Sequence, residues 1–138
     1  MTISVYDVNT FLKNDSILES IAGKEMNFFP VVGYGTELPP FVVYFYNPSI
    51  PSVEAFWNRN DYVRYSIYDS DVDRLFKMSE RIIFLLGHGD SVQQDGGIES
   101  LNHRFKSSVF IGSNIIEPLE KEGWYQMDLD FRIFSTSL

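Results

Sequence analysis

Acidic side chains outnumber basic ones in this 138-residue chain by 19 to 11, and they include two pairs at i, i+2 spacing, Asp71/Asp73 and Asp128/Asp130. Two carboxylates held together could share acid–base work, provided one is desolvated enough to keep its proton near neutral pH. Asp71 and Asp73 fall in the opening turn of a helical pattern, where negative charge complements the helix dipole and capping accounts for both. Asp128 and Asp130 project side by side from one face of an alternating strand. A solvated sheet face, or one lining a shared channel, accounts for them without catalysis.

Other chemistry is thinner. The two histidines, His88 and His103, flank a glycine-rich stretch that also holds Asp90, Asp95, Gly96 and Gly97. Nitrogen and oxygen donors of this kind could gather a metal ion, but the spacing fits no ligand pattern, and exposed loop histidines are the simpler account. Gly33-Tyr34-Gly35 is superficially like a phosphate-binding loop. It lacks the following Lys-Ser/Thr, and Pro39-Pro40 and a strand follow in place of a helix N-terminus. No Gly-x-Ser-x-Gly elbow is present, and the absence of cysteine excludes thiolate ligands, cysteine nucleophiles and disulfides. No catalytic constellation emerges, so no enzyme activity, cofactor or metal is expected.

Net charge of −8 and a sequence pI near 4.6 argue against wrapping duplex DNA, which calls for clustered lysine and arginine. An acidic surface serves solubility, or meets DNA as a wall that does not hold it. Aromatic strands without basic neighbours read as core rather than as a base-stacking platform. With 44% hydrophobic and 16% aromatic residues the chain is too apolar to be disordered, and its length suits one domain spanning 1–138. No apolar stretch approaches a bilayer span and no signal pattern opens the chain, so no membrane association and a cytoplasmic site of synthesis are expected.

The elements that must position these residues follow from periodicity. Val5, Val8, Phe11 and Leu12 form one helical stripe over 4–14. Asp15 or Ser16 caps a second short helix carrying Ile17, Leu18 and Ile21, which Gly23 ends. Residues 26–32 read as a strand kept to a sheet edge by Pro30, and 41–47 as a central strand of β-branched and aromatic residues. The stretch 48–60 reads as a loop or as a loop with a short helix near 53–58. Val63, Tyr65 and Ile67 alternate with Arg64 and Ser66 in a half-buried strand over 62–68.

The clearest helix starts at Ser70, with Ser70 as N-cap and Asp73 closing a capping box. Val72, Leu75, Phe76, Ser79, Ile82, Ile83 and Leu86 form its apolar face, and Gly87 ends it; Ser79 implies close approach to the sheet. A mobile loop is expected over 87–102, then a strand at 104–111 and an insertion-like segment to Gly123. The last strand is the most regular: Tyr125, Met127, Leu129, Phe131 and Ile133 alternate with Gln126, Asp128, Asp130 and Arg132, one face to the helices and one polar and net acidic. The fold class expected is α+β: a mostly antiparallel β-sheet with one long helix and an N-terminal helix packed on one face.

The string FFPVVGYGTELPPFVVYFY at 28–46, set in this order of elements, resembles the tail-completion or tail-terminator family of tailed bacteriophages. The resemblance rests on Phe29-Pro30, on Leu38 through Tyr44, on the strand and long helix after them, and on Leu129-Asp130-Phe131 in the closing strand. It covers nearly the whole chain, from about Val5 to Thr136. The chain departs from the family pattern in its second proline, Pro40, and in the extra length at 111–123. The resemblance implies a ring, typically a hexamer of this chain, that caps the tail tube protein and meets a neck or head-completion protein, acting by shape without turnover. It also implies a virion location, with DNA passing through unbound. In that frame Asp128, Asp130 and Arg132 are candidates for a lumen-facing or interface strand, and His88, Asp90, Gly96, Gly97 and His103 for an assembly loop. Two other readings stay open: a head-completion or neck protein, and a small ligand- or protein-binding module with an apolar pocket around Phe56, Trp57 and Trp124.

Overall fold

Apolar periodicity resolves into α1 (Ser4–Lys13), α2 (Ser16–Ala22), β1 (Phe28–Pro30), β2 (Phe41–Asn47), β3 (Asn58–Asp69), α3 (Val72–Gly87), β4 (His103–Ile116) and β5 (Tyr125–Ser137). The computed structural model describes residues 4–30, 38–47, 58–87, 103–116 and 123–137. The strands form one five-stranded sheet in the order β1-β2-β3-β5-β4. β1 runs parallel to β2, and the other three pairings are antiparallel. The α+β expectation holds. β1, with Pro30, lies at the sheet edge, but the interior of the sheet is β2, β3 and β5, with β3 in the middle place expected for β2.

Alternation divides the sheet into two faces. Val42, Val63, Tyr65, Ile67, Met127, Leu129, Phe131 and Ile133 point toward the helices and join Val5, Val8, Leu12, Leu18, Ala22, Met26, Leu75, Met78, Ile82 and Leu86 in one buried cluster. Complete burial of a Leu, Ile, Val or Met side chain contributes about 1.5–3 kcal/mol relative to exposure, so this cluster is the main source of stability. Inside it, Tyr65 donates its hydroxyl proton to Asn9 Oδ1 of α1 at 2.7 Å, which satisfies a polar group that would otherwise be costly to bury. Phe28 meets the Tyr65 ring edge-on with centroids 5.9 Å apart.

The helix boundaries carry their own chemistry. Asp15 is the N-cap of α2, accepting from the Leu18 N–H at 2.8 Å, and Gly23 closes the helix at φ 74°, a left-handed conformation natural to glycine. At α3 the cap differs from the sequence expectation. Asp71, not Ser70, accepts from the N–H groups of Asp73 and Arg74, at 3.1 and 3.3 Å. The physical reason lies one residue earlier: Asp69 Oδ1 accepts from the Asp71 N–H at 3.1 Å, and both Asp69 oxygens are gripped by Arg74, at 2.6 and 2.7 Å. That clamp fixes the turn from β3 into α3, and Ser70 stays exposed.

The buried face of α3 is Leu75, Met78, Ser79, Ile82 and Leu86, whereas Phe76 is 44% exposed and Ile83 only half-buried. The expected stripe was thus rotated away from Met78, because an apolar count alone cannot tell which side of a phenylalanine-rich helix meets the sheet. Ser79 fits its expected place, donating its hydroxyl to the Leu75 carbonyl at 2.8 Å beneath the sheet contact. β3 begins four residues before the expected start, and β4 extends through 112–116, which sequence assigned to an insertion. Register shifts between Phe105 and Ser107 and between Phe110 and Gly112 break the alternation of β4, which is why its pattern was not legible.

Candidate functional site

The face of the sheet turned away from the helices carries a continuous polar ladder, built by β3 against β5. Cross-strand register sets Ser66 opposite Asp128, Arg64 opposite Asp130 and Tyr62 opposite Arg132. Directly opposed residues on one face come within side-chain contact, so this register alone dictates the partners. Ser66 Oγ donates to Asp128 Oδ1 at 2.6 Å and Gln126 Nε2 donates to the same oxygen at 2.9 Å. Arg64 donates from Nε to Asp130 Oδ1 at 2.7 Å and from Nη2 to Oδ2 at 3.3 Å, and its Nη1 lies 4.0 Å from Asp128 Oδ2. Tyr62 completes the set, its hydroxyl donating to Asp130 Oδ1 at 2.8 Å.

The electrostatics follow from this geometry. Burial pushes the Asp130 carboxyl upward, but the hydrogen bonds from Arg64 and Tyr62 outweigh it and hold the group below the usual carboxylate range. Burial, with the neighbouring Asp130 charge, raises the Tyr62 phenol. The Asp130 bond holds the Arg64 guanidinium more firmly protonated than usual. Asp130 is therefore an ionised partner, the opposite of a carboxyl poised to give up a proton. Arg132 stays exposed at the end of the ladder. Two arginines, Arg64 and Arg132, stand against two aspartates, Asp128 and Asp130, so this stretch is polar but charge-balanced. The net-acidic expectation came from β5 alone and is corrected by β3, which supplies Arg64.

Beside the ladder the same face is aromatic. Phe41 stacks on Tyr68 with centroids 5.1 Å apart, and Trp124 and Phe29 meet Phe41 edge-on at 5.6 and 6.1 Å. Trp124 thus packs on the sheet through Phe41; Phe56 and Trp57, the other two residues of the pocket reading, lie outside the described residues. On the other side of the molecule, a cleft of about 240 Å³ lies between α1 and the β1–β2 edge, lined by Tyr6, Asn9, Thr10, Lys13, Phe28 and Tyr44. Burial, with the nearby Tyr6, raises the Tyr44 phenol.

The other sequence candidates separate. His88, Asp90, Gly96 and Gly97, and with them Gly33 and Gly35, lie outside the described residues, and His103 opens β4 opposite Ser137. Among the described residues no three His, Cys, Asp or Glu side chains gather in a way that could hold a metal ion, and no helix is long and apolar enough to cross a membrane. The Arg64–Asp130 pair was missed from sequence, although Arg64 on the polar side of β3 was a visible signal that its charge needed a partner on a neighbouring strand.

No family model matches the chain, and no curated protein matches its sequence. In architecture it is similar to a chain from the virion of a native gene transfer agent particle. The TM-score is 0.64 at 15% identity, with 94% of this chain and 91% of that chain covered. At that identity the likeness establishes a shared fold.

Proposed function

We propose that this chain is a structural virion protein of the tail-terminator or tail-completion kind: a ring of copies that caps the tail tube and presents a surface to the neck or head-completion proteins. The observation that carries the reading is the end-to-end likeness in fold to a chain of a gene transfer agent virion, 94% of one covered by 91% of the other. The helix, Pro-strand, strand, long helix and strand-pair order, with Leu38-Pro39-Pro40 launching β2, is the same order that first suggested the family. A polar ladder with balanced charge, in which Arg64 and Tyr62 hold Asp130 ionised, suits a surface that works by fit and without turnover. DNA passing the ring would meet Asp130 and Arg132 beside Arg64 on a charge-balanced face, with Asp128 buried next to them, and would find no basic cluster among the described residues to hold it.

The test is electron microscopy of the purified protein mixed with tail tubes assembled from the same particle. Caps at one tube end, absent without the protein, are the expected result. Binding to portal or neck complexes with tubes left bare would assign the protein to the head side of the joint, and binding to neither would overturn the virion reading.

A further inference from the structure

The two edges of the sheet are guarded very differently. β1 is three residues long and ends at Pro30, which has no N–H to offer a neighbour. β4 is 14 residues long, and among the described residues only β5 pairs with it. Its last ten residues, 107–116, contain no charged side chain and no proline. Ile111, Ile115 and Ile116 on this strand are exposed. Beyond the bulge at Phe110/Gly112 the ladder to β5 runs without interruption from Gly112 to Ile116, and among the described residues nothing pairs with the outer side of this straight run.

That run is complementary to itself. Gly112, Asn114 and Ile116 lie opposite Asp130, Asp128 and Gln126, hence all three point to the helix-free face. A β-carbon placed at Gly112 would meet no atom within 4 Å, so space is open there, while Ile116 four residues on is 39% exposed. We propose that β4 pairs edge to edge with β4 of a second copy, antiparallel about a two-fold axis at Asn114. In this register Ile116 of each copy lies over Gly112 of the other, Ile115 lies opposite Ser113, and the two Asn114 amides meet at the axis. The occupant is a second copy because the fit needs only what this strand carries, a large apolar residue and a gap at symmetric distances from one centre. Fit selects the direction: an antiparallel pair seats Ile116 over the gap at Gly112, whereas an in-register parallel pair would set Ile116 beside Ile116 and leave the two glycine gaps empty. The result is one ten-stranded sheet with both helical layers on the same side. This pairing is a property of the free protein and stands whether or not the virion reading does.

The chain has no cysteine, which makes the test clean. Across an antiparallel pair, directly opposed Cα atoms are about 4.5–5.5 Å apart, inside the range a disulfide spans. Asn114→Cys should therefore form a disulfide-linked dimer under mild oxidation about a hundred-fold faster than Ser20→Cys, which places its thiol on the exposed surface of α2, because pairing raises the local thiol concentration from about 10 micromolar to about 1 millimolar. Sedimentation equilibrium of the wild-type chain should show a concentration-dependent dimer, and Ile116→Lys should return it to monomer with an unchanged circular dichroism spectrum. A wild-type chain that stays monomeric at 100-fold the cross-linking concentration overturns the proposal. So does a dimer that Ile116→Lys leaves intact, or one in which the two cysteine variants cross-link equally, since either places the contact on another surface.

Discussion

Arg64 and Asp130, 66 residues apart in sequence, sit directly opposite each other on β3 and β5 and close a two-point contact at 2.7 and 3.3 Å. The pair turns what looks from β5 like a row of free acids into a neutralised ladder. It also makes Arg64 the residue on which the helix-free face depends.

Replacing Arg64 with Met leaves Asp130 without its cationic partner and Asp128, only 8% exposed at its side chain, with a nearby positive charge removed. A destabilisation of about 1–3 kcal/mol is expected, reduced toward the lower end because Arg64 itself is partly in solvent. Urea unfolding at neutral pH measures it. A midpoint equal to that of the wild type would mean that water replaces the guanidinium without loss.

Acid should weaken the fold through two identifiable carboxylates. Asp15 is held below its usual value first by the Arg81 hydrogen bond, against opposing burial, and Asp130 by Arg64 and Tyr62 against burial. For a group with a depressed folded-state value, the stabilisation is fully present above the unfolded value of about 3.9 and is lost as pH falls through the folded one. Stability should thus be flat from neutral pH down to about 5 and decline below about 4. The decline should shrink in Arg81→Met, which removes the Asp15 share; equal slopes in the two proteins would contradict the assignment.

Core position on α3 predicts unequal costs. Ile82 is fully buried, so Ile82→Ala should lose about 2–5 kcal/mol, and Ile82→Asp should fail to fold. Phe76→Ser, at an exposed site on the same helix, should change stability by about 0.5 kcal/mol or less. Thermal unfolding orders Ile82→Ala and Phe76→Ser, with no cooperative transition expected for Ile82→Asp, and the reverse order for the first two would mean that the helix is rotated.

Tyr65→Phe removes a single buried hydroxyl and leaves Asn9 Oδ1 without its donor. A cost of about 1–3 kcal/mol is expected, with the fold unchanged by circular dichroism. Combining it with Asn9→Leu should recover part of that loss, since both polar partners are then gone; strict additivity in the double-mutant cycle would show the bond to be uncoupled.

The proposed channel role is best probed with isosteric changes. Asp128→Asn and Asp130→Asn keep side-chain volume and most hydrogen-bonding capacity, whereas lysine at either site would set a second cation beside Arg64. In particles carrying both asparagines, Arg64 loses its counter-charge and the ladder becomes net positive, so DNA release should slow relative to wild type. Unchanged release kinetics in stable particles would remove these residues from the DNA path.

The elements with unbroken periodicity were legible in the chain itself. Val5, Val8 and Leu12 marked α1, Asp15 and Gly23 bracketed α2, and the alternation from Tyr125 to Ile133 placed the helix-facing side of β5, because local spacing alone determines which residues share a face. The cap of α3 was displaced by one residue because Arg74 gripping Asp69 decides the turn, and that contact depends on where β3 ends. β4 was cut short because two bulges interrupt its period. The balance of charge on the helix-free face was decided only by tertiary structure: pairing β3 with β5 in one particular register puts Arg64 across from Asp130, and register is a relation between strands that neither strand's sequence contains.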